Sequence, residues 1–219
     1  MICPYCGIKI VKEPTRKFKC QTCKNEIYVH GNRDTIKLLT KKEYESIEIE
    51  RKIKYEEDNF FKFFEDQTIS KEQLTSRKIK WFQKYKEKAS YDDLIWSVSN
   101  ELLDKYAKSE EFHAMKMLYL KLALYEMRNN RVFFHLLQQV SKMQLLGYKK
   151  EILFFRASLN GDFNEIVEIS VAHNSCCENC EQLAGKRYTI DEAREKMPIP
   201  LSSCTHENGF CRCIYLLKI

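Results

Sequence analysis

Ten cysteines constrain this 219-residue chain more than any other feature, because of where they stand. Four lie within the first 23 residues, six lie from Cys176 onward, and residues 24 to 175 contain none. Paired C-x2-C spacings in a reducing compartment read as metal sites rather than disulfides. Two separated clusters therefore predict two separate sites.

The first cluster is "CPYCG" followed by "CQTC", giving Cys3, Cys6, Cys20 and Cys23. Each C-x2-C can turn two thiolates toward one tetrahedral ion, and four thiolates close the coordination shell, which makes the site structural. Alternation in "IKIVK", "FKC" and "EIYVH" predicts two or three short strands packed on that ion. The pattern is that of a zinc ribbon, with iron in a rubredoxin-like site as the alternative, since tetrahedral sulfur suits both metals. So short a segment has too little core to fold alone, so its folding free energy is expected to come from the metal.

Charge concentrates on the same segment. Residues 1 to 38 carry eight Lys or Arg against three acids, whereas residues 173 to 219 balance six against six, within an overall formal charge of +6. Lys12, Arg16, Lys17, Lys19 and Lys24, with the aromatics Tyr5, Phe18 and Tyr28, form a candidate surface for nucleic acid. The competing reading is a solvated basic face on a small module that docks onto the rest of the chain.

From residue 40 to about 148 the apolar spacing is helical, in keeping with only six glycines and four prolines. Thr40 with Glu43 and Ser70 with Gln73 form capping boxes, and Ser90 and Ser109 mark two further starts. Residues 45 to 58 carry isoleucines at odd positions, as a strand would, but the cap and dense charge favour helix. "FHAMKMLYLKLALYEM" is apolar nearly all round and is expected to lie centrally. "RNNR" separates it from "VFFHLLQQVSKMQLL", a helical hairpin with Phe133, Leu136, Leu137, Val140 and Met143 inward. His113 and His135 stand alone on these helices and are expected to be core or boundary residues.

After Gly161 a strand around Ile166, Ile169 and Val171 leads to the second cluster. Thr189 and Glu192 cap a short helix that ends by Pro198, and "CIYLLKI" reads as a terminal strand. The seven candidate ligands are Cys176, Cys177, Cys180, Cys204, His206, Cys211 and Cys213. Knuckle spacing selects Cys177 and Cys180; Cys211 is the expected third, and Cys204 or His206 the fourth, with Cys204 preferred for its longer return loop. Cys213, two residues after Cys211, is expected to point opposite to it, which leaves one of the two as an ordinary buried thiol and the choice between Cys211 and Cys213 open.

The run Cys177-x2-Cys180-x2-Leu183-x-Gly185-Lys186-x-Tyr188, then a proline-containing stretch and "CRC", resembles the C-terminal motif of phage minor head (head-morphogenesis) proteins. That resemblance covers about 45 residues and implies a phage or prophage accessory. It departs from the usual pattern where His206 is followed by "ENGF" and where Cys204 adds a ligand.

The expected architecture is mainly α with two small zinc-stabilised α/β modules: a ribbon over 1–38, a helical bundle or hairpin array over 39–160, and a zinc-knuckle module over 161–219. The function expected of it is non-enzymatic: two zinc ions and a protein or nucleic-acid partner. The alternative is a metal-dependent, HNH-like nuclease using His206 and Glu207, with Asn208 and His173 orienting them. Neither a signal sequence nor an apolar run long enough to span a bilayer is visible, so a cytoplasmic location without membrane attachment is expected.

Overall fold

Each C-x2-C pair folds into the same tight turn, and the remaining structure of the first 39 residues is hung on these two turns. The computed structural model describes residues 1–11, 14–31, 35–159, 163, 165–171, 176–205 and 211–218. They fall into two units, Met1–Ile95 and Trp96–Ile219.

In the first unit, β1 (Phe18–Lys19), β2 (Glu26–His30) and β3 (Lys37–Leu39) form an antiparallel sheet in that order, with Phe18 opposite Ile27 and Val29 opposite Leu38. Its buried core is Cys3, Cys20 and Ile27, flanked by half-buried Ile10, Phe18, Cys23 and Leu38. The helix α1 (Lys41–Phe63) follows directly. The Glu43 N–H donates to Thr40 Oγ1 and the Thr40 N–H to Glu43 Oε2, which closes the expected capping box. The dense charge of 45 to 58 is a solvated helical face with Arg51–Glu48 paired at 2.9 Å and Ile49 and Ile53 exposed. Three contacts dock the sheet on the start of α1: Tyr28 stacks on Tyr44 at 4.7 Å, Arg51 donates to His30 Nε2 at 2.7 Å, and the Lys41 N–H donates to the Tyr5 hydroxyl.

Helix α2 (Lys71–Tyr85) starts at the Ser70–Gln73 capping box. Leu74 is buried, as are Phe60 and Phe64 of the "FFKFF" run, whose rings meet edge to face at 5.5 Å. Lys78 pairs with Glu57 to tie α2 to α1. Helix α3 (Tyr91–Lys108) begins where the Ser90 hydroxyl accepts from the Asp93 N–H, and it runs across the division between units.

The second unit is built on α4 (Phe112–Arg128) and α5 (Phe134–Leu159), the expected hairpin. Leu118, Leu122 and Leu145 are fully buried. The sequence overstates how central α4 is: Met115, Leu118, Leu122, Ala123 and Glu126 make one buried stripe, while Met117 is exposed. Ser109 is not its cap either, because its hydroxyl donates back to the Lys105 carbonyl at the end of α3. At the hairpin turn the buried Glu126 carboxylate accepts from Trp96 Nε1 at 3.1 Å and pairs with Arg131 at 3.2 Å.

Beyond α5 come β4 (Ile166–Ser170), α6 (Glu178–Glu181), β5 (Arg187–Thr189), α7 (Ile190–Lys196) and β6 (Ile214–Lys218). The strands pair antiparallel in the order β5-β4-β6. One face of this sheet packs with α7 on α5, in a core that includes Leu145, Ile152, Val167, Ile169, Ile190 and Tyr215. Gln144 and the Tyr148 hydroxyl both donate to the Tyr215 carbonyl at 2.9 Å, and Lys149 pairs with Asp191 at 2.9 Å. Among the described residues no helix is long and apolar enough to cross a membrane.

Candidate metal centres

The two N-terminal turns repeat one hydrogen-bond scheme. Cys3 N–H donates to the Ile8 carbonyl and Gly7 N–H to the Cys3 carbonyl; Cys20 N–H donates to the Asn25 carbonyl and Lys24 N–H to the Cys20 carbonyl. Closing such a turn requires a left-handed residue at its fifth position. Gly7 takes that role at φ 71° in the first turn and Lys24 at φ 60° in the second.

The scheme brings Cys3, Cys6, Cys20 and Cys23 Sγ within 4.8 Å of one another. The cross pairs Cys3–Cys23 and Cys6–Cys20 both measure 3.8 Å. A tetrahedron with metal–sulfur bonds of about 2.3 Å has sulfur–sulfur edges of about 3.8 Å, so these two pairs match edges of such a shell and the four thiols together lie close to its size. A disulfide would need about 2.05 Å. Backbone N–H groups of Cys23 and Thr22 favour the Cys20 thiolate and pull that thiol down to about 6, which prepares it as a ligand.

The C-terminal cluster is assembled from three pieces of chain. Cys177 caps α6 and Cys180 lies within it, Cys204 follows the turn after α7, and Cys211 and Cys213 lead into β6. Asn179 donates to the Ser203 carbonyl at 3.2 Å, which holds the Cys204 turn against α6. The distances are 3.8 Å for Cys177–Cys204, 3.8 Å for Cys180–Cys204 and 3.7 Å for Cys180–Cys211. Within a 4.8 Å span they form two triads, Cys177–Cys180–Cys204 and Cys180–Cys211–Cys213, which share the buried Cys180.

Cys213 thus departs from expectation. In extended backbone, residues two apart share a face, so Cys211 and Cys213 present both thiols to Cys180. Cys176 is half-buried against the same core and belongs to neither triad.

Electrostatically the cluster is a set of thiols competing for protons. The Cys213 thiol hydrogen-bonds Cys211 and pulls it down to about 5, and its own proton is held correspondingly tightly. N–H groups of Thr205 and Cys180 lower Cys177 to about 7, while burial pushes Cys180 up. A divalent cation would relieve the burial cost of such thiolates.

Leu183 and Tyr188 pack on the module's core, Gly185 at φ 72° donates its N–H to the Ile169 carbonyl, and the Ile169 N–H donates to the Lys186 carbonyl. The residues of the Cys177-to-Tyr188 run thus build the turn that carries the chain from α6 into β5.

On the ribbon face, Arg16, Lys19 and Lys24 are exposed. Lys17 is committed locally, paired with Glu26 at 2.9 Å and lying 5.0 Å over the Tyr28 ring. The Tyr5 hydroxyl and the Tyr28 ring face α1, and Phe18 packs against the buried thiols. Lys12, His173, His206, Glu207 and Asn208 lie outside the described residues. His113 and His135 are both exposed rather than boundary or core residues. The docking contacts of Tyr28 and His30 on α1 and the Trp96–Glu126 hydrogen bond have no sequence signature, because they join residues 16 to 30 positions apart.

No family model matches the chain, and no curated protein or solved structure matches it.

Proposed function

We propose that this is a non-enzymatic zinc protein, in which zinc at each cysteine cluster locks a small module against a helical scaffold that engages a macromolecular partner. The observation that carries this reading is the thiol geometry: sulfur–sulfur separations of 3.7 to 3.8 Å at both ends of the chain. Four closed thiolates around the N-terminal ion leave no position for substrate, which favours a structural role there. Zinc has no redox chemistry and needs only the tetrahedral sulfur cage, so it fits a site whose purpose is to hold turns together.

Elemental analysis of purified protein tests this directly. Zinc is expected in the wild-type chain, with the N-terminal ion lost in Cys3→Ser and the C-terminal site lost in Cys180→Ser. Iron, or metal content unchanged in both variants, contradicts it.

A nucleic-acid partner is favoured by the exposed Arg16, Lys19 and Lys24 on one small module. Since Tyr5, Phe18 and Tyr28 are engaged within the first unit, this binding would rest on phosphate contacts rather than base stacking. Affinity is then expected to fall steeply with salt and to be lost on charge reversal at those three positions. No binding to RNA or DNA at low salt would leave a protein partner.

A further inference from the structure

The C-terminal cluster has five thiols where one tetrahedral ion needs four, and their arrangement is not that of one tetrahedron. A single four-thiolate shell puts every sulfur within about 3.8 Å of the other three. The N-terminal set approaches this, with all four thiols inside one 4.8 Å span. At the C-terminus no fourth described thiol joins either triad within that span, and Cys180 alone belongs to both.

Resting on the zinc reading above, we propose that the C-terminal cluster is a binuclear thiolate site, with Cys180 as the sulfur bridging two divalent ions. One ion is held by Cys177, Cys180 and Cys204, and the other by Cys180, Cys211 and Cys213, with a water completing each four-coordinate shell.

Three features support this arrangement. Two tetrahedra joined at one corner have short edges within each triad and longer ones between triads, as the thiols here do. The shared corner is the deepest of the five, at 2% exposure, where a thiolate most needs two cations to offset its desolvation. Five thiolates with two divalent ions leave one net negative charge, whereas four thiolates around one ion leave two, with a protonated fifth thiol beside them. Burial of Cys180, Cys211 and Cys213 favours the smaller charge.

The test is to load the full chain with isotopically enriched cadmium, a thiolate-seeking stand-in for zinc, and to count ions by native mass spectrometry and cadmium resonances by NMR. Three ions are expected, one N-terminal and two C-terminal, and the two C-terminal resonances should split each other through the shared sulfur. Cys213→Ser should lower the count by one, and Cys180→Ser should lower it by two while sparing the N-terminal ion. Retention of that ion and of helical circular dichroism separates ligand loss from misfolding. Two ions in the wild type, unchanged in Cys213→Ser, would overturn the binuclear site and leave the one-ion zinc reading standing. Three ions without mutual splitting would overturn the bridge. No cadmium bound at the C-terminal thiols would overturn the zinc reading itself.

Discussion

At the scale of single residues, the two N-terminal knuckles differ in one informative way. Both need a left-handed residue, and only the first has glycine there. A β-carbon at Gly7 would meet no atom within 4 Å, so Gly7→Ala should cost only the conformational penalty, about 1 kcal/mol. Lys24→Gly should recover a similar amount, about 1 kcal/mol, by relieving φ 60° at the equivalent place. Thermal melts of the metal-loaded variants check both signs, and a destabilised Lys24→Gly would mean that the lysine side chain contributes more than its backbone costs. The knuckles were legible in the sequence because C-x2-C spacing encodes them locally. The placement of Cys213 was legible in principle too, since two-residue spacing in extended chain puts side chains on one face, and the expectation that the two thiols point oppositely ran against that geometry.

At the scale of elements, the caps at Thr40, Ser70, Ser90 and Thr189 form as their spacing dictates, because each is satisfied within four residues. Ser109 fails as a cap since the nearby carbonyls at the end of α3 compete for its hydroxyl. The tertiary ties were not legible, and two of them make predictions. Glu126→Ala leaves the Trp96 N–H and the Arg131 guanidinium without their carboxylate and should destabilise the α4–α5 hairpin by about 2 kcal/mol in denaturant melts. Asp191, which clamps α7 to α5, has its carboxyl held below the usual range by hydrogen bonding to Lys149. A depressed folded pKa means that the unfolded chain binds the proton more readily, so the clamp is fully stabilising above the unfolded value near about 3.9 and fades as pH falls through the lower folded value. The melting temperature of Asp191→Asn should therefore lie below wild type at neutral pH and converge with it toward about pH 2. Metal loss in acid affects both chains alike, so a gap that persists there would contradict the clamp.

At the scale of the whole molecule, the proposed zinc ions would matter to different degrees at the two ends. The N-terminal module has a buried core of Cys3, Cys20 and Ile27, of which two are candidate ligands, so zinc bound there would make folding and metal binding one equilibrium. The C-terminal sheet shares a larger core with α5. Chelation should consequently abolish amide protection in β1 to β3 while α4, α5 and most helical circular dichroism persist; loss of all structure together would contradict this difference. The division at Ile95 and Trp96 was not legible in the sequence, because it falls inside the continuous pattern of α3, with no glycine, proline or charge break to mark it. X-ray absorption at the zinc edge of the purified protein tests most directly whether sulfur-held zinc organises both cysteine clusters. A first shell dominated by sulfur at about 2.3 Å is expected, and a shell of nitrogen and oxygen at about 2.0–2.1 Å, or no zinc at all, would contradict it.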